Sequence, residues 1–363
     1  MKITVVTNLP APYRIPIWNH LGLRNELTVY FLLGEVNWRG WELENNQNWS
    51  FKFLNFWNIK WGEVEIIPSI RGAWRTVKEA EVLVLSGWHT PFYVVVSCFA
   101  RIMKKTLIQF YESSPGNSTF NNFLAKFIKA KVLNLSDAIV TINQTCSKYL
   151  TSIGVHPEKI TVLFNPIANK DWILKVNKYD NLRKRKSILF VGQLIPRKAV
   201  DDLINAYGEL FTKDFELDIV GNGIESKSLK QLASKSVVSE KIHFYGHLTG
   251  EQLAERFALN TILVLPSYSE VWGLVVNEAL ACGMHVVVNR SCGVVDLVQS
   301  MKGVTVYSGG KDSLRNAMNR AISNYNKKIE EPEISKFDCV NFSRSLEKII
   351  DDLINYKDSN EFI

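Results

Sequence analysis

The sequence predicts an α/β protein made of two Rossmann-like, doubly wound domains. Short runs rich in β-branched and aromatic residues alternate with helical patterns along nearly the whole chain, which is typical of parallel sheets built from βαβ units. The length of 363 residues exceeds that of one ordinary domain. The alternation also stops once, at residues 166–186, and then restarts. Together these observations indicate two domains in sequence.

The first domain is assigned to residues 1–166. Its predicted strands are 2–6, 28–33, 81–85, 106–110, 138–142 and 160–164, and its predicted helices include 14–24, 91–103 and 120–135. Residues 167–186 are rich in polar side chains and end in a basic run, so we predict an interdomain linker there.

The second domain is assigned to residues 187–338. Its predicted strands are 187–192, 215–221, 241–246, 261–266 and 285–289, and its predicted helices are 199–210, 225–235, 249–257 and 273–282. Helical periodicity at 343–356 predicts a C-terminal helix within 339–363, which we expect to cross back to the first domain. Doubly wound domains bind ligands at the carboxyl ends of their strands.

The charge of the chain is positive and unevenly placed. The net charge is +7, and residues 1–165 hold 17 lysines and arginines against 11 acidic residues, together with eight of the ten tryptophans. A basic, aromatic-rich half could face an anionic substrate or an anionic membrane, and a merely solvated surface is the alternative. No zinc-knuckle, RNA-binding or helix-turn-helix pattern supports nucleic acid as a partner.

Cysteine usage and hydropathy predict the compartment. The five cysteines are scattered and form no CxxC pair or Cys/His cluster, which predicts neither a metal site nor a disulfide framework. The N-terminal MKITVVTNLP is interrupted too soon to be a signal peptide, and the apolar run at 91–100 is about half the ~20 residues that span a bilayer. We therefore expect a cytoplasmic protein, with contact at the inner face of the membrane as an open alternative.

Two basic residues follow the first strand of the second domain. The strand at 187–192 ends in Gly192, where the backbone can approach a ligand closely, and Arg197 and Lys198 come just before the next helix. Cations beside a helix N-terminus favour an anion such as phosphate. An exposed loop with two basic residues is the alternative. Gly221 and Gly223 end the next strand, and their spacing resembles only half of a dinucleotide fingerprint.

Two glutamates, Glu270 and Glu278, lie eight residues apart in the otherwise apolar or small segment 266–283. Glu270 is predicted in a loop after a buried strand, and the next helix begins around Gly273. The amides of Gly273 and Leu274 can donate to an anion. Because side chains lean toward a helix N-terminus, Glu278 reaches back toward the same ligand. The expected ligand has hydroxyls at both ends and an anion between them, as a nucleotide sugar does.

The second domain carries a family resemblance. The motifs VGQLIPRKAVDDL, DIVGNG, HFYGHL and PSYSEVWGLVVNEALACGMHVVVNRSCGVVDLV occur in an order that resembles the family-four retaining glycosyltransferases of GT-B architecture. The resemblance covers residues 187–308, the stretch at 153–166 is similar to the family's domain junction, and the first 150 residues match in outline. It implies two Rossmann-like domains facing a cleft. The implied reaction moves a sugar, with retention, from a UDP- or GDP-sugar to a hydroxyl of a glycan or lipid-linked acceptor in bacterial surface-polysaccharide synthesis.

The resemblance also implies roles for the candidate residues. Arg197 and Lys198 would bind the donor diphosphate, assisted by the amides of Gly273 and Leu274. No metal or other cofactor is then expected, because the cations and the helix dipole stabilise the departing diphosphate, and the sequence has no DxD motif.

The remaining donor contacts implied by the resemblance surround the sugar, ribose and base. Glu278 would accept from the ribose hydroxyls and Glu270 from hydroxyls of the donor sugar. The backbone around Gly221–Gly223 and Gly246–Leu248 would line the base. Neither carboxylate is expected to transfer a proton.

Three candidates belong to the first domain. Arg14, near the start of the first helix, could touch an anionic acceptor or the diphosphate, and an exposed helical arginine is the alternative. His89 follows a strand, and a histidine at a comparable point of the resembled family contacts the donor sugar; a purely structural histidine is the alternative. Glu112 also follows a strand and could bind the acceptor or lie on the surface.

The segment 36–65 holds five tryptophans. We favour a β-ribbon with one packed face, because SFKFLNF alternates polar and apolar residues, and keep stacking on sugars or a membrane as an open hypothesis.

Other functions remain open at this point. A glycosidase also uses paired carboxylates, but it has no use for the neighbouring anion site. A sugar-nucleotide epimerase of the same architecture, or a module that binds the donor without turnover, fits the same residues.

Overall fold

The protein forms two compact units in a computed structural model, Met1–Phe164 with Cys339–Ile363, and Asn165–Asp338. The structure describes residues 1–32, 47–54, 59–61, 64–66, 70–113, 122–179, 186–212 and 214–361, and within these the side chains of 59–61, 64–66, 360 and 361 are not described.

The first unit is a parallel sheet with helices. Its strands are β1 (Lys2–Thr7), β2 (Glu26–Phe31), β3 (Ser50–Phe53), β4 (Ile59–Trp61), β5 (Val64–Ile66), β6 (Val82–Leu85), β7 (Thr106–Tyr111), β8 (Ala138–Thr141) and β9 (Ile160–Val162). Its helices are α1 (Ile15–Gly22), α2 (Ile70–Glu79), α3 (Pro91–Ile102), α4 (Phe123–Leu133) and α5 (Gln144–Ser152). Seven strands run parallel in the order β3-β2-β1-β6-β7-β8-β9, and β4 pairs antiparallel with β5.

The central strands are apolar throughout because helices cover both faces of the sheet. In β6, Val82 and Val84 belong to one core cluster and Leu83 and Leu85 to another. All four are at most 1% exposed. Burial on both faces explains why these strands are continuous hydrophobic runs rather than alternating ones. The carboxyl ends of β1, β6 and β7 are therefore neighbours at one edge of this sheet.

The C-terminal helix completes this core. Helix α13 (Cys339–Glu361) buries Phe342, Leu346 and Ile350, none of which is more than 1% exposed. The Phe342 ring lies 6.0 Å from Phe110 of β7. The helix thus belongs to the unit formed by the start of the chain, as its apolar face requires.

The second unit is also a parallel sheet. Its strands are β10 (Ser187–Val191), β11 (Glu216–Val220), β12 (Ile242–Gly246), β13 (Ile262–Leu265), β14 (His285–Asn289) and β15 (Val304–Tyr307), in the order β12-β11-β10-β13-β14-β15. Its helices are α6 (Asn169–Asn177), α7 (Val200–Gly208), α8 (Ser226–Ser234), α9 (Gly250–Leu259), α10 (Leu274–Ala281), α11 (Val295–Val298) and α12 (Lys311–Asn324). The two doubly wound parallel sheets confirm the predicted fold class.

The linker predicted at 167–186 differs from the structure. Helix α6 lies inside this range, and its Trp172 ring packs 5.1 Å from Phe257 of α9. Ile167 is 3% exposed and pairs with Asp338. The polar composition predicted a connecting segment, but the few apolar side chains of this stretch dock on the second unit. Residues 180–185 of the predicted linker lie outside the described residues.

The tryptophan-rich segment is described only in part. Strand β3 joins β2 as a parallel edge strand, so this part is not a ribbon, whereas β4 and β5 do form an antiparallel pair. Trp49 is 7% exposed and its ring lies 5.4 Å from that of Trp18. Trp49 is therefore a core residue. The side chains of the other four tryptophans in the segment lie outside the described part.

No helix in the described ranges combines the length and the apolar character that crossing a membrane requires.

Candidate functional site

Three loops meet at the carboxyl edge of the second sheet. The Gly221 amide donates to the Gly246 carbonyl at 2.7 Å, and the Leu194 amide donates to the Asn222 carbonyl at 2.9 Å. These bonds join the loops that follow β10, β11 and β12. The loop that was predicted to line the base, including Leu248, is thus held by backbone contacts, and Leu248 is half-buried.

Two of the predicted glycines are required by this packing. A Cβ on Gly221, whose φ is +142°, would lie 1.8 Å from the Gly192 carbonyl oxygen, and one on Gly223 would lie 2.1 Å from the Leu194 carbonyl oxygen. Backbone approaches of this kind exclude any side chain. The role of these glycines in lining a base stays a prediction, and their packing alone explains why they are glycines.

The predicted cations lie on a single turn between β10 and α7. Pro196–Lys198 forms a 3₁₀ turn, Ala199 takes a left-handed conformation with φ +52°, and α7 begins at Val200. Lys198 lies beside Gly192, where a Cβ would come 3.6 Å from the Lys198 Cε. The sequence therefore placed this pair correctly, directly before a helix. Gly192 leaves room for the aliphatic part of the lysine.

Glu270 joins both cations in one cluster. Its carboxylate lies 3.0 Å from Arg197 Nη1 and in direct contact with Lys198 Nζ, and it accepts from Ser267 Oγ at 3.1 Å. The Glu270 and Lys198 side chains are only 11% and 14% exposed. Arg197 Nη1 also donates to the Ser269 carbonyl at 2.6 Å. The buried carboxylate is thus compensated by two cations, whereas the sequence had assigned the cations and Glu270 to different parts of a ligand.

Helix α10 begins where the sequence predicted. Gly273 is its N-cap residue with φ +108°, and a Cβ there would lie 2.9 Å from Leu265 Cδ2. Inside the helix, the Val276 amide donates to the Gly273 carbonyl at 2.9 Å. The amides of Gly273 and Leu274 precede this bond and are the orphan donors of a helix N-terminus. They remain suited to an anion.

Glu278 lies one turn into α10, away from the cluster around Glu270. It is half-buried, and in the described ranges its carboxylate has no hydrogen bond or ion pair. Burial raises the pKa of Glu278 to about 7 from an ordinary value of 4.5, and the charge of Lys175 opposes this rise. A carboxylate poised in this way can accept hydrogen bonds from a polar ligand that displaces water from it.

Sequence reasoning missed the residues that support this helix. Asn277 is fully buried, accepts from the Trp272 indole at 3.0 Å and donates to the Asn165 carbonyl at 3.2 Å. Lys175, the cation that acts on Glu278, lies on α6. Neither Asn165 nor Lys175 has a sequence signal, because both come from the stretch predicted as linker or its border.

In the first unit, Arg14 and Glu112 form an ion pair at the carboxyl edge of the sheet. Arg14 is 8% exposed, lies 5.5 Å above the Phe110 ring, and burial lowers its pKa. The alternative of an exposed helical arginine is therefore wrong. The sequence had treated the two residues separately, since they lie on loops 98 positions apart that only the sheet order β1-β6-β7 brings together.

His89 follows β6 and remains accessible at the surface of its unit. Its ring lies 6.4 Å from Trp88 and 6.0 Å from Tyr93, and partial burial among its neighbours lowers its pKa. A neutral imidazole suits hydrogen bonding to a hydroxyl. Its assignment as a contact of the donor sugar stays a prediction.

A group of potential metal ligands occurs away from these residues. Glu216, Asp218 and His243 have ligand atoms within 4.8 Å of one another. The buried Asp218 already accepts from Asn260 at 3.0 Å and faces Arg256 at 3.9 Å. These contacts fit an internal polar network that holds β11 to α9.

Fold and site together define a class of protein, two-domain α/β proteins with a cluster of two cations and one carboxylate at the carboxyl edge of the second sheet. Residues 175–333 match the family described as glycosyl transferases group 1.

Relatives and solved structures agree with this assignment. The chain is 29% identical over 199 residues to an uncharacterized glycosyltransferase of Methanocaldococcus jannaschii, which covers 52% of this chain and 51% of the relative. It is 27% identical over 231 residues to a D-inositol 3-phosphate glycosyltransferase of Acidothermus cellulolyticus, covering 58% and 50%. The chain thus spans about half the length of these curated relatives.

The crystal structure of Anabaena HepE in complex with UDP and glucose shares the fold over almost the whole chain. The TM-score is 0.74 at 18% identity, over 97% of this chain and 100% of the other. The GT-B fold implied by the sequence motifs is therefore confirmed for both units.

Proposed function

We propose that this protein is a retaining glycosyltransferase that moves a sugar from a UDP- or GDP-sugar to a hydroxyl of a glycan or lipid-linked acceptor. We place it in the synthesis of a bacterial surface polysaccharide, without a metal ion. The observation that carries the proposal is the cluster in which Arg197 and Lys198, on the turn before α7, meet Glu270, in the loop that leads into α10. The cluster carries a surplus positive charge, and Glu270 precedes the N-cap residue Gly273 of α10 by three positions.

The charges of this cluster favour a diphosphate. Two cations against one carboxylate leave one positive charge, and the N-terminal amides of α10 add the positive end of the helix dipole. When a sugar–phosphate bond breaks, negative charge grows on the leaving diphosphate oxygens. Arg197, Lys198 and the amides stabilise that charge in the transition state, where stabilisation accelerates the reaction.

No protein carboxylate is needed as nucleophile or base in this proposal. The leaving phosphate oxygen takes the proton of the acceptor hydroxyl while that hydroxyl attacks the anomeric carbon from the same face. The bond from carbon to the phosphate oxygen breaks as the new glycosidic bond forms, so configuration is retained. Glu270, freed in part from the cations by the diphosphate, would accept from donor-sugar hydroxyls, and Glu278 from the ribose.

The names of the similar proteins support a nucleotide-sugar donor, although they do not identify the sugar or the base used by this chain. The HepE structure holds UDP and glucose, and the Acidothermus relative is named a D-inositol 3-phosphate glycosyltransferase. A lipid-linked acceptor and contact with an anionic membrane remain part of the proposal, supported by the net charge of +7.

The proposal is tested by a thermal-shift panel of UDP- and GDP-sugars. The true donor should raise the melting temperature of the protein by mass action. Arg197→Ala and Lys198→Ala should each weaken donor affinity about ten- to hundredfold, the loss expected for a charge-assisted hydrogen bond. Glu270→Gln should keep affinity for the free nucleoside diphosphate while turnover falls.

The matched control is Lys235→Ala, which removes an exposed lysine of the same unit. Donor binding with unchanged affinity in both cation variants would contradict the phosphate assignment. Release of an epimerised nucleotide sugar without an acceptor would identify an epimerase instead. Binding without turnover or hydrolysis would identify a binding module.

A further inference from the structure

Helix α4 presents an apolar face to solvent. Phe123, Leu124, Phe127 and Ile128 are 86%, 64%, 51% and 47% exposed. The pairs 123/127 and 124/128 are each four positions apart, so the four side chains share one face of the helix. No other helix in the described ranges exposes more than two large hydrophobic side chains.

The remaining faces of the same helix are packed. Ala130 and Leu133 belong to a core cluster with Tyr149 and Leu150 of α5. Lys129 is 1% exposed and donates to the Tyr149 hydroxyl at 3.0 Å. The helix is also capped, since the Ala125 amide donates to the Asn122 side chain at 2.8 Å. The exposed apolar face is therefore held in place by a well-anchored helix.

Positive charge accompanies this face. Between Glu112 and Asp137 the sequence has three lysines and no acidic residue. Lys131 is exposed and lies 5.4 Å from the Phe127 ring, and Lys126 is half-exposed. Lysine side chains at the border of an apolar surface can extend their charge to phosphate headgroups while their aliphatic part stays in the apolar layer.

We infer that this face of α4, made of Phe123, Leu124, Phe127 and Ile128 with Lys126 and Lys131, docks on an anionic lipid bilayer. Aromatic and aliphatic side chains enter the boundary between headgroups and acyl chains, and lysines are attracted by the negative surface potential. We choose an anionic lipid surface as the partner because the charged residues of this segment are all positive and surround exposed apolar side chains. This inference deepens the proposed function and rests on it for its biological purpose.

The position of α4 suits delivery of a lipid-linked acceptor. The helix is the crossover between the parallel strands β7 and β8, so its amino end lies toward the carboxyl edge of the first sheet. That edge carries the buried Arg14–Glu112 pair. A bilayer that holds Phe123 and Leu124 would therefore present headgroup-linked sugars near the same edge.

The test is co-sedimentation of the full chain with vesicles. We expect binding to vesicles that contain phosphatidylglycerol, little binding to pure phosphatidylcholine, and weaker binding as salt rises. Phe123→Ser/Phe127→Ser and Lys126→Gln/Lys131→Gln should each lower the apparent partition coefficient about tenfold or more. The control Ile224→Ser/Val237→Ser removes two side chains that are 83% and 90% exposed on the second unit and should bind like the wild type.

Each possible result bears on the inference. Vesicle binding that is absent in the wild type, or unchanged in both α4 variants at wild-type melting temperature, would overturn it. Self-association or binding of a protein that the α4 variants abolish, without vesicle binding, would also overturn it. Donor-induced thermal shifts of the same variants separate membrane docking from the proposed function. Docking can fail while donor binding persists, and donor binding can fail while docking persists.

Discussion

Glu278 has the most altered chemistry of the predicted site residues. Its side chain is half-buried and has no hydrogen bond or ion pair in the described part of the chain, and burial raises its pKa to about 7. The folded state therefore binds a proton more tightly than the unfolded state, where the ordinary value is 4.5. This difference makes stability depend on pH in a defined direction.

We predict that Glu278→Gln removes this dependence. In the wild type, the contribution of Glu278 to the free energy of unfolding is fully present below pH 4.5. It falls by about 3 kcal/mol in all as the pH rises to about 7, where the carboxyl group of the folded protein ionises. Between pH 5 and pH 8, the free energy of unfolding of the variant should therefore rise relative to that of the wild type by about this amount. Denaturant unfolding at the two pH values measures the difference. An equal difference in stability at both pH values would refute the burial argument.

Glu270 differs from Glu278 because neighbouring cations compensate the charge of its carboxylate. Its buried carboxylate is compensated by Arg197 and Lys198, so two glutamates eight residues apart have different electrostatic roles. The sequence predicted both as ligand contacts in similar terms. The difference arises because only Glu270 lies opposite the turn that carries the cations.

At the scale of elements, the loops after β10, β11 and β12 act as one layer. Gly221 and Gly223 let two of these loops touch through their backbones, and the Gly221 amide ties in the third. This layer positions Arg197 and Lys198, since both follow Leu194 by a few residues on the first of the three loops.

We predict that Gly221→Ala destabilises the second unit by about 3 kcal/mol or more and weakens donor binding. The added Cβ would overlap the Gly192 carbonyl, and the backbone would have to move. The matched control is Gly250→Ala, with φ +55° and no atom within 4 Å of the added Cβ. It carries only the conformational cost of about 1 kcal/mol. Thermal unfolding measures both, and equal losses would contradict the packing explanation.

At the scale of the whole molecule, the chain begins and ends in the same unit. Helix α13 supplies Phe342, Leu346 and Ile350 to the core formed by β1, β2 and β7. Lys357 near its end pairs with Asp137 at 2.8 Å. The core of the first unit therefore includes a segment that follows the whole second unit in the sequence.

We predict that Phe342→Ala destabilises the first unit by about 3 to 5 kcal/mol, the cost of emptying a buried aromatic site. Hydrogen exchange should rise in β1 and β2, more than 310 positions away in sequence, whereas β10 and β11 provide the internal control. Exchange that rises in β10 and β11 alone would contradict the assignment of α13 to the first unit. The matched surface change is Tyr356→Ala, whose side chain is 71% exposed.

Much of the fold could be predicted because it depends on local pattern. Eleven strands, β1, β2 and β6 to β14, follow from hydrophobic runs in their own neighbourhood. The starts of α7 and α10 follow from local glycines and helix signals. Helix α6 could not be predicted, because five of its nine residues are polar and its place is decided by the packing of Trp172 on Phe257 and the burial of Val176. Strand β15 was not predicted either: it is a four-residue edge strand whose first three residues are only half-buried.

The sequence by itself determined the order of elements, the class of fold, and the residue types of the candidate site. Arg197, Lys198, Gly273 and Glu278 stand at positions where strand ends and helix starts dictate their chemistry. Only the tertiary structure decided which charges meet. The Arg14–Glu112 pair and the cluster on Glu270 join residues more than 70 positions apart, and the sheet order that brings them together depends on packing that no local pattern contains.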